Sequence, residues 1–399
     1  MRSRASSFFH QEILKRSAKS QARVTRIYTP NGHIDTPAFV PVATNAALKH
    51  VQLPHADAED MQLLFVNTYH MLVHDSVDVV HNSGSLHDFM NRKRPIITDS
   101  GGFQIFSLAN RGGSCFESES RPSVPGATML SESELKYSRK SIGAPGDVKI
   151  TEQGVKFRSY RNGDMIELTP ESSVDAQKKL GADIIIPLDE LPAFRVTGAE
   201  LRRSVARTHR WEQRSLARHL EIESKQAMYG VIHGGMDLEL RRESITFLDA
   251  LPFDGWAVGG SLGRNKTEML NLISDVAPML PKWGPRHLLG IGDVDSILRA
   301  VPLGYDSFDS CWPSRLGRHG TILTSEGPLD MKKKRFRDDY RKLDGACDGH
   351  VAQHYSRAYL HHLFRAGEPV AMSIAALQNI KHTLDVCSAL REGILRGEV

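Results

Sequence analysis

Four cysteines in 399 residues, none of them in a CxxC pair, are too few and too scattered for a disulfide framework. Cys115, Cys311, Cys347 and Cys387 therefore read as reduced thiols of an intracellular chain. No apolar run approaches the roughly 20 residues that span a bilayer, so no membrane anchor is expected. Neither GxGxxG nor GxxxxGK[ST] occurs, which leaves no sequence ground for a nucleotide cofactor. No solenoid period recurs. Neither sign of charge dominates: 51 Lys and Arg face 47 Asp and Glu, a formal net charge of +4, so only local clusters can argue for nucleic acid. The N-terminal stretch 1–24 is basic and Ser-rich like a transit peptide. It nevertheless contains Glu12 and enters strand-like sequence without a spacer, so it is read as part of a cytoplasmic, folded chain.

A 40% hydrophobic and 25% charged composition fits a soluble enzyme with a sizeable core. Eight short apolar runs end in polar or glycine-rich tails, at 37–44, 63–70, 95–103, 183–190, 227–235, 255–260, 287–293 and 305–314. Their length and Ile/Val content favour buried strands. Amphipathic helices are expected between them, at 199–220 (with Leu201, Val205, Leu216 and Leu220 on one face), 237–251 and 266–279. Strands alternating with helices imply a parallel sheet. The count of eight, with polar tails on many strand ends, favours a closed (β/α)8 TIM barrel over a doubly wound sheet with one switch point. The barrel is assigned to 1–325. Within it, 110–147 is rich in Ser, Gly, Pro and Glu and reads as a flexible insertion, and 148–168 reads as an antiparallel meander with turns at Gln153-Gly154 and Asn162-Gly163. A C-terminal subdomain, 326–399, opens with the basic run 332–337 and continues as helix-forming sequence.

Aspartate is a poor strand former, yet Asp99, Asp189 and Asp309 follow directly on apolar runs. One such residue is more often a helix N-cap. Three at one barrel face point to an acidic pocket whose carboxylates serve as nucleophile, as general acid/base and as acceptor for the N–H edge of a base. Gly101-Gly102, Gly234-Gly235 and Gly259-Gly260 would let backbone approach a flat ring.

The blocks Asn67-Thr-Tyr-His70, Asp99-Ser-Gly-Gly-Phe103-Gln, Gly290-Ile291-Gly292, Phe308-Asp309, Pro313-Ser-Arg315-Leu-Gly-Arg318-His-Gly320 and Ser356-Arg-Ala-Tyr-Leu-His-His362 resemble the signatures of the tRNA-guanine transglycosylases, from about His10 to about Gly397. The resemblance implies that Asp309 attacks the anomeric carbon of the wobble nucleotide and that Asp99 is the general acid/base. It places Asn67, Ser100, Gly101, Gly102, Phe103, Asp189, His233, Gly259 and Gly260 around the base, Phe103 stacking on it and Asp189 gripping its N–H edge. His233 stands where many members carry Gln. The segment Gly290-Ile291-Gly292, with Arg315 and Arg318, would face RNA. A carboxylate nucleophile splits one hard displacement into two with net retention at the sugar, and the target base must first leave its stack. The implied partners are tRNAs with a GUN anticodon and a free base, queuine or a 7-deazaguanine precursor, with guanine released. Whether the chain forms a homodimer or a heterodimer stays open.

Two departures from the family pattern carry expectations. Its structural zinc is normally held by three Cys and a His, but the matching places hold Cys347, Gly349, Ala352 and Gln378. One ligand in four does not make a tetrahedral site, so no metal is expected, with His350, His354 and Cys387 the only material for a displaced one. The loop Gly259-Gly-Ser-Leu-Gly263 is short and lacks the Glu that reads an aminomethyl base, and Leu191 stands where Cys is common; both imply a pocket suited to queuine. The run Lys332, Lys333, Lys334 and Arg335 reads either as a solvated helix start or, with Phe336 among the charges, as a contact to RNA backbone. Two rival readings are a non-catalytic RNA-binding subunit, which would be expected to lose the carboxylates and keep the zinc ligands, and a two-carboxylate sugar hydrolase, which would want a Trp-rich groove.

Overall fold

The computed structural model describes residues 8–109, 148–192, 196–260 and 262–399; the insertion expected at 110–147 lies outside the described residues. Strands β1 (His10–Arg16), β2 (Arg23–Thr29) and β3 (Gly32–Asp35) form an antiparallel sheet. Then come β4 (Ala38–Ala43), β5 (Leu64–Val66) and β6 (Ile96–Thr98), followed by the antiparallel meander β7 (Lys149–Ile150), β8 (Val155–Arg158) and β9 (Met165–Leu168). Next are β10 (Ile184–Ile185), β11 (Ala227–Ile232), β12 (Gly255–Val258), β13 (Arg286–Leu288) and β14 (Ser307–Ser310). Eight parallel strands close in the order β4, β5, β6, β10, β11, β12, β13, β14, with β14 pairing back onto β4. This is the (β/α)8 barrel; seven of its strands fall inside the apolar runs, and β13 begins one residue before its run.

Alternation along the strands sorts the side chains between two cores. Phe39, Leu64, Ile96, Met228, Trp256 and Leu288 face the surrounding helices. Val40, Val42, Phe65, Ile97, Ile184 and Val231 face the barrel interior, where Phe9, Ile27 and Ile34 of the N-terminal sheet join them as a stopper. That sheet was not anticipated as such. On β13 and β14 the interior positions hold His287, Ser307 and Asp309 instead of aliphatic side chains.

The helices Gly198–Glu221, Leu238–Asp249 and Lys266–Val276 fill the expected connections, the second capped by Asp237, which accepts from the Glu239 and Leu240 amides. Leu201, Val205 and Leu216 are buried, but Leu220 is exposed. Nineteen residues at about 100° each leave Leu220 roughly 100° off the line of Leu201. His219 returns to that line and is the buried residue.

The C-terminal region differs from a continuous helical segment. A hairpin, β15 (Thr321–Thr324) and β16 (Gly327–Asp330), spans residue 325; a single 3-10 turn follows at Lys334–Phe336, and α-helices run over His350–His354, Arg357–Ala366 and Val370–Arg396. Between them, side chains hold the backbone in irregular form: Asp344 accepts from the amides of Ser325 and Ala346. The long helix crosses the seam where the barrel closes. Arg391 donates to the carbonyls of Asp35 and Pro37 just before β4, and buried Asn379 bonds Pro313, Thr321 and Leu323 beyond β14. A Cβ on Gly317 would lie 2.5 Å from the Ala376 nitrogen, so helix Trp312–Arg318 meets the long helix backbone to backbone.

The seam itself turns on Asp306, fully buried one residue before β14. Its carboxylate accepts from Arg23 Nε (2.9 Å) and Nη2 (2.6 Å) and from the Arg286 amide (2.8 Å), and its carbonyl accepts from the Ala38 amide. Removing one member of a buried pair leaves the other uncompensated. Asp306→Ala is expected to lower the unfolding free energy by about 3–5 kcal/mol in denaturant titration. Glu243→Ala, which breaks the exposed pair with Arg202, should leave the denaturation midpoint essentially unchanged.

Candidate active site

Asp309 lies within the last turn of pleat of β14, almost fully buried. Its Oδ1 accepts from His287 Nε2 (3.1 Å) and from the Gly290 amide (2.8 Å) at the end of β13. On the far side of β4 and β5, Asp99 follows β6 and is gripped from three directions. Asn67 Nδ2 (2.8 Å) and Gln104 Nε2 (2.9 Å) donate to Oδ2, and the Thr68 amide (2.7 Å) donates to Oδ1. Burial drives the Asp99 carboxyl above the usual carboxylate range, and these hydrogen bonds pull only part of the way back. A carboxyl so placed is suited to hand a proton over and take one back.

Beside Asp99 on the rim, where β10 adjoins β6, sits a third aspartate, half-buried. Asp189 lies not at the tip of β10 but four residues past Ile185, outside any strand or helix. His233, at the end of β11, places Nε2 2.7 Å from Asp189 Oδ2, and Ser100 Oγ is 3.5 Å from Oδ1. Gly260, after β12, has φ +78°, and a Cβ there would stand 2.8 Å from His233 Nδ1. Only glycine fits that turn beside the ring. Gly101 and Gly102 make close approaches of another kind, to the Tyr69 backbone and the Leu188 side chain. Phe103, half-buried, opens the helix Gly102–Ala109 next to them. The structure thus joins Asn67 to Asp99, and Ser100, Asp189, His233 and Gly260 to one another.

Several residues that shape this rim carried no assigned role in the sequence. Arg241, fully buried, donates to the carbonyls of Ile232, Gly235 and Gly259 and so ties the β11 loop to the β12 loop; burial pulls its guanidinium down to about 10. Glu212 accepts from the Val231 amide, and burial, reinforced by Asp189, pushes its carboxyl well above the usual range. Gln104 was legible as part of the Asp99–Phe103 block. His287 was hidden inside an apolar run.

The residues matched to RNA contact divide. The Gly290 amide is spent on Asp309, Ile291 is packed in the outer core and Gly292 abuts Phe39 and Ser310. Arg315 and Arg318 are partly exposed on the helix that follows Asp309. Lys332, Lys333, Lys334 and Arg335 are exposed beyond β16. Phe336 corrects the expectation placed on it: it is 3% exposed, an apolar anchor under the run, with the Arg335 guanidinium 4.7 Å above its ring.

A zinc ion does not fit the C-terminal positions. Gly349 and Ala352 offer no donor, and buried Gln378 gives its amide to the Leu323 carbonyl. Among the described residues, Cys347, Asp348 and Asp385 are the one group bringing three potential donors within 4.8 Å. A cation already lies among them: Lys381 Nζ is 2.6 Å from Asp348 and 2.5 Å from Asp385. Burial alone would lower that ammonium, but the two carboxylates hold it above its usual value. Burial also pushes the Cys347 thiol up to about 11, away from the thiolate a metal needs. His350 and His354 stack on each other, and Cys387 is buried with its thiol pushed up to about 12.

A family model described as Queuine tRNA-ribosyltransferase matches residues 17–131 and 123–399. The queuine tRNA-ribosyltransferase of Protochlamydia amoebophila (strain UWE25) is 47% identical over 388 residues, covering 97% of this chain and 96% of that protein. Those of Chlamydia caviae (47% over 392 residues, 98% and 99% covered) and Chlamydia trachomatis serovar L2 (46% over 389 residues, 97% and 99% covered) are similar to it to the same degree.

Proposed function

The chain belongs to the queuine tRNA-ribosyltransferase family, the tRNA-guanine transglycosylases, which are pentosyltransferases; from that premise we propose that it replaces the wobble guanine of GUN-anticodon tRNAs through a covalent aspartyl-ribosyl intermediate. The observation that carries the reading is the pair of buried carboxylates on one barrel rim, Asp309 held at a single oxygen and Asp99 raised by burial. Asp309 attacks the anomeric carbon of the ribose, and the electrons of the glycosidic bond leave with guanine, which takes a proton from Asp99. The incoming base returns its proton to Asp99 as it displaces Asp309, so the sugar retains its configuration. Asp189 receives the N–H edge of the base, His233 and the Gly260 backbone flank its carbonyl, and Phe103 stacks on its face. Arg315, Arg318 and the exposed run 332–335 supply contacts to the tRNA. We place the enzyme with its tRNA in the cytoplasm; no described helix is long and apolar enough to cross a membrane.

Asp309→Asn keeps the shape and removes the charge. It is expected to abolish the covalent RNA adduct on denaturing gels. An adduct that survives in Asp309→Asn and vanishes in Asp99→Asn would reverse the two roles.

The incoming base is read as queuine. The short Gly259–Gly263 loop carries no acid to pair with an aminomethyl group, and Leu191 adds a half-buried apolar wall. In direct competition queuine should outcompete its aminomethyl precursor by more than about tenfold, roughly 1.4 kcal/mol. Equal use of the two bases would remove this part of the reading.

The protein is also proposed to fold and work without zinc. Lys381, clamped by Asp348 and Asp385, supplies the positive centre that a metal would, and Leu360 and Leu363 pack into one core with Leu377, Ile380 and Leu384. Tyr359 lies outside that layer, exposed and stacked on Tyr355. Elemental analysis should find far less than one zinc per chain, and a strong chelator should leave the melting temperature unchanged. Stoichiometric zinc with a large chelator-induced drop would overturn the proposal.

A further inference from the structure

The least explained feature of the barrel is the polar interior of β13 and β14. Alternation turns Leu288 and Phe308 to the outer core and so turns His287, Ser307 and Asp309 inward. His287 is fully buried, its ring stacked on Phe65 at 6.2 Å. A histidine in that place costs stability unless both ring nitrogens find partners. Both do: Nδ1 is 2.8 Å from Ser307 Oγ, and Nε2 is 3.1 Å from Asp309 Oδ1.

The partners decide the tautomer. A carboxylate only accepts, so Nε2 carries the hydrogen; Nδ1 then accepts, and its donor is the Ser307 hydroxyl. The result is a one-way chain, Ser307 to His287 to Asp309. The Gly290 amide meets the same Oδ1 at 2.8 Å, and among the described residues none donates to Oδ2. The carboxylate is therefore asymmetric among the described residues, with one oxygen bound twice and the other given no donor.

We propose that His287, backed by Ser307, is the positioning residue that selects the attacking oxygen of Asp309, an inference that rests on Asp309 being the nucleophile. Oδ2 supplies the electron pair for the new bond to the anomeric carbon, and the glycosidic pair leaves with guanine. In the resulting ester Oδ1 is the carbonyl oxygen and keeps both hydrogen bonds. When the incoming base attacks, the pair of the ester bond returns to the carboxylate, and His287 Nε2–H and the Gly290 N–H stabilise the charge that reappears. His287 thus acts twice, by holding the rotation of the carboxylate in the first step and by easing its departure in the second. In a serine hydrolase an aspartate orients a histidine for a serine; here the same three residue types run in the opposite direction.

Full-length protein with unmodified tRNA and guanine supplies the test, in three variants and one mapping experiment. Misdirected nucleophiles typically lose about 100-fold. His287→Phe should lose that much in kcat, with KM for tRNA and for base within about threefold. His287→Gln, which keeps a donor where Nε2 stood, should recover to within about tenfold of wild type. Ser307→Ala should lower kcat severalfold in the wild-type background and have no effect in the His287→Gln background, because an amide has no tautomer to select. A packing role would instead give Ser307→Ala the same effect in both, and that result overturns the inference even where His287→Phe does not fold. Peptide mapping of the wild-type RNA adduct separates the two levels. An adduct on another residue removes the nucleophile assignment itself. An adduct on Asp309 that forms in His287→Phe at the wild-type rate removes only the role of His287.

Discussion

A carboxylate that never meets solvent sets the geometry of this molecule. Asp306 draws Arg23 from the N-terminal sheet, the Arg286 amide from β13 and, through its carbonyl, the Ala38 amide from β4. Two barrel strands and the stopper beneath them are brought to one point just before β14. Asp309 stands three residues further on, so its height in the barrel is inherited from that knot rather than from its own contacts. The long helix Val370–Arg396 reinforces the same seam from outside, gripping the entrance to β4 with Arg391 and the exit of β14 with Asn379. The segment furthest along the chain is therefore part of what keeps the first and last barrel strands in register.

Chemistry takes over where the aliphatic lining stops. Six strands fill the interior with apolar side chains, and two adjacent strands hold a serine, a histidine and an aspartate, with both ring nitrogens of the histidine partnered. A buried imidazole is tolerable only when both nitrogens are satisfied. The same requirement recurs around Asp99, where three donors meet one carboxylate, and at Arg241, where one guanidinium meets three carbonyls. Each arrangement fixes a loop at the strand ends with side chains that are themselves out of reach of water.

Features repeated along the chain were legible in the sequence. Eight apolar runs became eight strands, the paired turn signals at 153–154 and 162–163 became the meander, and aspartates after apolar runs marked the rim. Features that depend on what meets what were not. His287 sits in a run whose pattern reads as strand, and only the closed barrel shows that its inward neighbour across the ladder is Ser307. Phe336 among five basic residues reads as an exposed aromatic until the hairpin beside it gives it a core to enter. Leu220 fails for a simpler reason. It lies near helical spacing, but about 100° of rotation carries it off the buried line. The irregular stretch after 337 lies among aspartates and glycines, residues that favour side-chain-to-backbone bonds over helix.

The stopper formed by Phe9, Ile27 and Ile34 has a consequence for traffic. A barrel closed at its foot has one doorway, and everything that reaches its rim shares it. For an exchange of one flat base for another, departure and arrival compete for the same opening. In the reaction proposed above, that shared doorway sets an order: the old ring goes out before the new one comes in, with the sugar kept on Asp309 in the interval.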